Sequence, residues 1–271
     1  APSSTGATNK TVFTFGTSNA TALVTREASR LFDVLEAGAQ NNEELRLPDP
    51  QFHPLLVRAL LVHASSWGSW HSHLKKDLGL SGKDTRRQLT TLLGYGRLDP
   101  NKAGTAANNR AVLVAGGLIT QDQRHTYELP LPSSLRSKAE WHRFTITLAY
   151  GAPTIGHLTR YRGAKVYFTT PDAKLAGGER IEPEHHAVRR GSLQHEIVDG
   201  SHSISFADGD VFPIHIECMS DAQRLHKDNS IRYALVVSVE TAERTSTTIY
   251  DEVRTMLHLR VYERARERVQ S

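Results

Sequence analysis

Two spacings of hydrophobic positions divide the chain. Ala20, Val24, Ala28, Leu31 and Leu35 recur at intervals of four and three, the period of a helix with one buried face. The stripe Leu31, Phe32, Leu35 is expected in the core, and Gly38 sits where such a helix stops. Pro54 suits the first turn of a second helix, carried by Leu55, Ala59, Leu60 and Val62 to His63. Residues 65–88 are rich in Ser, Gly, His and Lys and show no period, so they are expected to be irregular. Gly94-Tyr95-Gly96-Arg97-Leu98-Asp99-Pro100 is a cluster of turn formers, and Asn101 to Asn109 reads as a small, polar linker. From residue 110 the spacing shifts to strands. They are expected at 111–119, 125–131, 143–150, 164–168, 193–198, 203–206, 211–218 and 233–239, with turns such as Asp199-Gly200 and Asp208-Gly209. Another short strand is expected at Thr11–Phe15. Eight strands in succession without helices between them point to a β-sandwich, jelly-roll-like. Tyr250–Val269 fits either a strand or a charged helix.

Composition narrows the picture little. The 271 residues allow about two domains. Hydrophobic residues make up 38% and charged residues 23%, with no apolar run long enough to cross a membrane, so no membrane partner is expected. The lone Cys218, in a strand-like run, fits a small buried apolar role and a reducing, cytoplasmic setting. The net charge of +4 comes in short, mixed blocks, so no nucleic-acid partner is expected. His71-Ser72-His73 and His185-His186 lack the spacing of a zinc site, so neither a metal nor another cofactor is expected. No dense acidic loop suggests calcium. Trp67, Trp70 and Trp141 read as core residues, and His63 as a satisfied, partly buried histidine.

The chemistry concentrates at Gly16-Thr17-Ser18, between an expected strand and an expected helix. Gly16 permits a tight turn and close approach of a substrate. Ser18 then stands where unpaired backbone amides and the positive end of the helix dipole can stabilise an oxygen gaining negative charge. A serine at a helix start is also a common cap with no catalytic role.

Gly16-Thr17-Ser18-Asn19-Ala20-Thr21-Ala22 resembles the nucleophile motif of subtilisin-like serine proteases. Pro54-Leu55-Leu56-Val57-Arg58-Ala59-Leu60-Leu61 is similar to the next helix of that family. Gly94-Tyr95-Gly96-Arg97-Leu98-Asp99 is similar to the segment closing its catalytic domain. Leu129-Pro130-Leu131-Pro132, Thr147-Leu148-Ala149-Tyr150 and Ile249-Tyr250-Asp251-Glu252-Val253-Arg254 resemble the C-terminal β domain of a bacterial subset often encoded beside an AAA-type ATPase. The resemblance implies an α/β fold class: residues 1–104 as the C-terminal part of a subtilisin-like catalytic domain, and residues 105–271 as an all-β sandwich. It implies a serine endopeptidase acting on peptide or protein substrates, with Ser18 as nucleophile. It also implies a histidine base, an orienting aspartate and an oxyanion-binding asparagine upstream of that serine, with an AAA-type ATPase as a further partner.

Only seventeen residues precede Ser18, and none is Asp, Glu or His. Serine without a bonded base is a weak nucleophile, and loss of the histidine costs a subtilisin about 10⁶-fold in kcat. The expectation is therefore a chain that is inactive alone and completed by the N-terminal half of the same protease. His53, His63, His71 and His73 lie in a region expected to run away from the serine, so no substitute base is expected among them. The alternative is a non-catalytic β-sandwich that binds or stabilises a partner, or a pseudo-protease in which Ser18 merely caps a helix.

Overall fold

The computed structural model describes residues 16–41, 47–82, 84–104, 107–121, 123–135, 141–159, 161–169, 179–182, 191–200, 211–222, 229–242 and 249–254. The strands expected at 11–15 and 203–206 lie outside the described residues, as do His185 and His186. The fold combines helices with antiparallel sheets.

Helix α1 (Thr17–Asn41) begins three residues before the hydrophobic period and runs past Gly38. Among its described side chains only Glu27, Leu31 and Leu35 are buried, one face over two turns. Phe32 is turned about 100° from Leu31 around the axis. It is 40% exposed, against its expected place in the core, and meets the ring of His53 edge-on at 6.2 Å. Residues 17–26 are exposed all round, including Leu23 at 66%. A 3₁₀ turn (Pro50–Phe52) leads into α2 (His53–His63), with proline in its first turn as expected. Leu56, Val57, Ala59, Leu60 and His63 of α2 are buried, because α1 covers one side and a sheet the other.

Strand β1 (Ser65–Ser66) pairs antiparallel with β2 (Arg97–Leu98), so the chain leaves the body at 67 and returns at 96. Two contacts close the base of this excursion. Trp67 Nε1 donates to the Gly94 carbonyl at 2.9 Å. Gly96 has φ 92°, and a Cβ there would lie 2.3 Å from the Ser66 carbonyl carbon, so only glycine fits. Between them the expectation of irregular chain is corrected by two short helices, α3 (Trp70–Asp77) and α4 (Thr85–Leu93). They lack a wide apolar face because they bury almost nothing: no residue of α3 and only Leu89 of α4. Local caps set their ends instead. Gly79 (φ 60°) closes α3, its N–H donating to Lys76 O at 3.2 Å and that of Leu80 to Lys75 O at 2.9 Å, a paired C-terminal cap. Trp70 is 56% exposed rather than core, whereas Trp67 is buried. Trp141 is half-buried, under the Arg143 guanidinium at 5.2 Å.

The expected linker is partly packed. Ala103 is buried in the helical cluster, its carbonyl accepts from Arg30 Nη2 at 3.0 Å, and Arg110 Nη1 donates to Lys102 O at 2.8 Å.

The strands follow: β3 (Arg110–Ile119), β4 (Arg124–Pro130), β5 (His142–Tyr150), β6 (Ala164–Thr169), β7 (Glu179–Glu182), β8 (Leu193–Gly200), β9 (Val211–Ser220) and β10 (Ile231–Thr241). They form a five-stranded sheet, β3-β10-β5-β8-β7, and a three-stranded sheet, β4-β9-β6. Among the described residues every strand pair is antiparallel. β7 was not expected from the sequence. Phe212, Ile214, Ile216 and Cys218 alternate inward on β9 and share one cluster with Phe144, Ile146 and Leu148 of β5 and with Leu235 and Val237 of β10. The other face of the five-stranded sheet carries Ala149, Leu193, Ala234 and Val236, small or branched residues that join the cluster of α1 and α2. This explains why 144–150 reads as a nearly continuous apolar run: the strand is covered on both sides. Residues 249–254 are helical and place Ile249 and Val253 in the larger cluster.

Side chains link the sheets directly: the Tyr233 hydroxyl on β10 lies 2.7 Å from both His125 Nδ1 and Tyr127 Oη on β4. Gln194 on β8 reaches Phe168 of β6, its Oε1 accepting from the backbone N–H at 2.9 Å and its Nε2 donating to the carbonyl at 3.2 Å. The same Nε2 lies 2.8 Å from Glu196 Oε1.

Candidate functional site

Ser18 lies in the first turn of α1 and is exposed. The Gly16 carbonyl accepts the first helical bond, from Ala20 N–H at 3.2 Å. Gly16 is therefore the capping position, and the amides of Thr17, Ser18 and Asn19 are the donors that a helix leaves without an intrahelical acceptor. Gly16 has φ 153° and open space where a side chain would stand. Further along, Thr21 Oγ1 donates to Thr17 O at 2.8 Å and Thr25 Oγ1 to Thr21 O at 2.9 Å, turning both hydroxyls back onto the helix. Their methyls, with Ala20, Val24 and Ala28, line an open trough of about 510 Å³ along this face. An exposed hydroxyl thus stands at the helix end beside the amides of Thr17 and Ser18, while the trough runs along the face of residues 17, 20, 21, 24, 25 and 28, which does not include Ser18. The hydroxyl and these two amides can meet a carbonyl group and its developing oxyanion, and among the described residues no proton acceptor is bonded to the serine.

The nearby histidines are engaged elsewhere. His53 is buried, Nδ1 3.3 Å from Glu36 Oε1 and Nε2 3.2 Å from the Pro48 carbonyl. His71 contacts the Gly68 carbonyl at 3.1 Å. His73 lies on exposed α3 against the Trp70 ring. Among the described residues no imidazole hydrogen-bonds to Ser18, and no three metal-ligating side chains converge.

His63 is buried and bonded, and it belongs to a network that the sequence did not reveal. At the end of α2 its Nε2 lies 2.8 Å from Ser238 Oγ on β10, and its Nδ1 3.0 Å from Thr147 Oγ1 on β5. Thr147 Oγ1 is also 2.7 Å from His195 Nδ1 on β8. A hydroxyl has one hydrogen, so at most one of the two Nδ1 atoms can accept from it, and at least one must donate to its lone pairs. His195 Nε2 meets no partner at hydrogen-bond geometry, although the Ser65 backbone lies near enough to favour the protonated ring. A protonated Nε2 suits a carbonyl neighbour and a bare one does not. The order follows: Ser238 O–H donates to His63, His63 Nδ1–H to Thr147, Thr147 O–H to His195, and His195 Nε2–H faces Ser65. Burial holds both rings neutral. It drives His63 well below its ordinary value, helped by the positive charges of Arg110 and Lys102 and by the cost of charging it beside the His195 ring. It drives His195 down to about 4 despite the opposing Glu196 carboxylate. Sealed from solvent, this network fastens α2 to the sheet and has no access to a substrate. The only trace in the sequence is a histidine at an inward position between Leu193 and Ile197.

No family model and no curated protein matches the chain. Among solved structures, "nora virus structure" is similar over 51% of this chain and 63% of that one, at 13% identity and a TM-score of 0.24. The tripod (BppUct-A-L) from the baseplate of bacteriophage Tuc2009 is similar over 52% of this chain and 49% of that one, at 6% identity and a TM-score of 0.24. At that level the likeness bears on neither fold nor function.

Proposed function

We propose that this chain is the nucleophile-bearing part of a subtilisin-like serine endopeptidase. In this reading residues 1–104 belong to the catalytic domain and residues 105–271 form a β-sandwich beside it. The observation that carries the reading is Ser18: an exposed hydroxyl in the first turn of a 25-residue helix, directly after Gly16 and beside amides with no intrahelical acceptor. The sequence motif around it and the two later segments support the same family. Ser18 Oγ attacks the scissile carbonyl, and its proton passes to a histidine from the N-terminal half of the protease, oriented by an aspartate of that half. The Ser18 amide helps hold the oxyanion, joined by an asparagine from the same half. An AAA-type ATPase partner rests on the resemblance alone.

A stabilising role for residues 105–271 is a second reading. It is favoured by the seat that Ala149, Leu193, Ala234 and Val236 provide for the helices. The two readings part at the serine. A fluorophosphonate probe should label Ser18 in the chain joined to the segment encoded upstream of it, and Ser18→Ala should abolish both labelling and peptide cleavage. Strong labelling of the chain alone would place a base within it. A joined protein that never labels would leave the stabilising role standing.

A further inference from the structure

The excursion that carries α3 and α4 differs in charge from the rest of the molecule. Residues 67–98 hold Lys75, Lys76, Lys83, Arg86, Arg87 and Arg97 against Asp77 and Asp84, a net +4. The chain as a whole has 33 basic and 29 acidic residues, so the remainder balances at 27 of each. The entire formal excess therefore sits in these 32 residues. Lys75, Lys76, Arg86 and Arg87 are exposed, and among the described residues none meets a carboxylate. Arg30, Lys102, Arg124, Arg143 and Arg162, on the body of the protein, each do.

Large apolar side chains stand among these cations. Trp70 and Leu78, two turns apart on one side of α3, and Leu92 at the end of α4 are each more than half exposed. The described part of the hairpin is tied to the body at its base. Its base is closed by the β1–β2 pairing, the Trp67–Gly94 bond and the close approach at Gly96, and α3 ends in a paired cap. A segment tied at its base, with scarcely any core, leaves nearly all of its side chains open to a ligand.

From this we propose that the α3–α4 hairpin is a docking surface for an acidic, amphipathic polypeptide segment, whose carboxylates meet the four cations and whose apolar side chains cover Trp70, Leu78 and Leu92. Charge complementarity selects the acidic partner. The apolar residues, with Asp77 and Asp84 between the basic pairs, favour a polypeptide over nucleic acid, which rewards a one-signed surface. The inference is independent of the reading of Ser18.

The test is fluorescence anisotropy with the full chain at near-physiological salt. Four labelled probes are compared: a twenty-residue helical peptide with Glu and Leu at i, i+3 and i+4 positions, a Leu-free Glu-rich peptide, a twenty-nucleotide single strand, and vesicles of phosphatidylcholine with phosphatidylserine. The Glu/Leu peptide should bind most tightly. Its affinity should fall about tenfold or more in K75E/K76E/R86E/R87E and roughly fivefold in Trp70→Ala. All five positions are exposed, and an unchanged circular dichroism spectrum shows that the variants fold. Hydrogen exchange supplies an independent readout: the peptide should protect α3 and α4 and leave β10 unchanged. The proposal is overturned if the charge-reversed variant binds the peptide as well as the parent does, if the Leu-free peptide binds equally well, or if the oligonucleotide or the vesicles bind more tightly.

Discussion

Mild acid should loosen this fold through the histidines buried beneath α2. In the unfolded chain the His195 imidazole takes up a proton near 6.5, and in the folded protein only near 4. Between those values the unfolded state binds more protons, so stability is full above 6.5, falls as the pH drops, and levels off below about 4. At pH 5 the unfolded imidazole is almost wholly charged and the folded one almost wholly neutral. The unfolding equilibrium shifts by a factor of about 30, or roughly 2 kcal/mol. His63, depressed by the same burial, acts in the same direction. The assay is urea denaturation followed by circular dichroism at about pH 7 and about pH 5, for the parent chain and for His195→Gln. The glutamine amide can still bond Thr147 but cannot charge. It should lower stability at pH 7 and remove roughly 2 kcal/mol of the loss between the two pH values. If both proteins lose equal stability on acidification, His195 does not titrate as its burial requires, and the argument fails.

Three other substitutions probe separate parts of the structure. Gly96→Ala places a methyl against the Ser66 backbone at a φ of 92° and should cost about 3 kcal/mol or more, read as a drop in thermal midpoint. Leu31→Ala removes a side chain that is 1% exposed at the α1–α2 contact; it should cost about 2–5 kcal/mol and accelerate hydrogen exchange in α1 before β10. Leu23→Lys with Val34→Lys, both on exposed positions of α1, should leave stability within about 0.5 kcal/mol and reduce self-association of the isolated chain in sedimentation experiments.

Elements with a strong period were legible in the sequence. Leu31 and Leu35 announce α1, Pro54 and Leu60 announce α2, and the alternation from Phe212 to Cys218 announces β9. Helices α3 and α4 were hidden because their stability comes from caps and glycine turns, which leave no hydrophobic stripe to read. Phe32 and Trp70 misled for a related reason: a large apolar residue is counted as core unless the turn of the helix is followed residue by residue. At the candidate site, Ser18 was visible as a serine after a glycine at a helix start. The network of His63, Thr147, His195 and Ser238 was not, because its members stand as far as 175 positions apart and meet only when α2 lies across the sheet.

The bond from Gln194 to Phe168 has a consequence for the protein's behaviour in concentrated solution. Among the described residues β6 is the last strand of its sheet, and such a border ordinarily offers free amide and carbonyl groups to any extended chain that drifts past. The carboxamide of Gln194 occupies one such pair from within the same molecule, imitating the backbone of a neighbouring strand. Where a foreign strand would begin to zip on and start a fibril, it finds the first rung already taken.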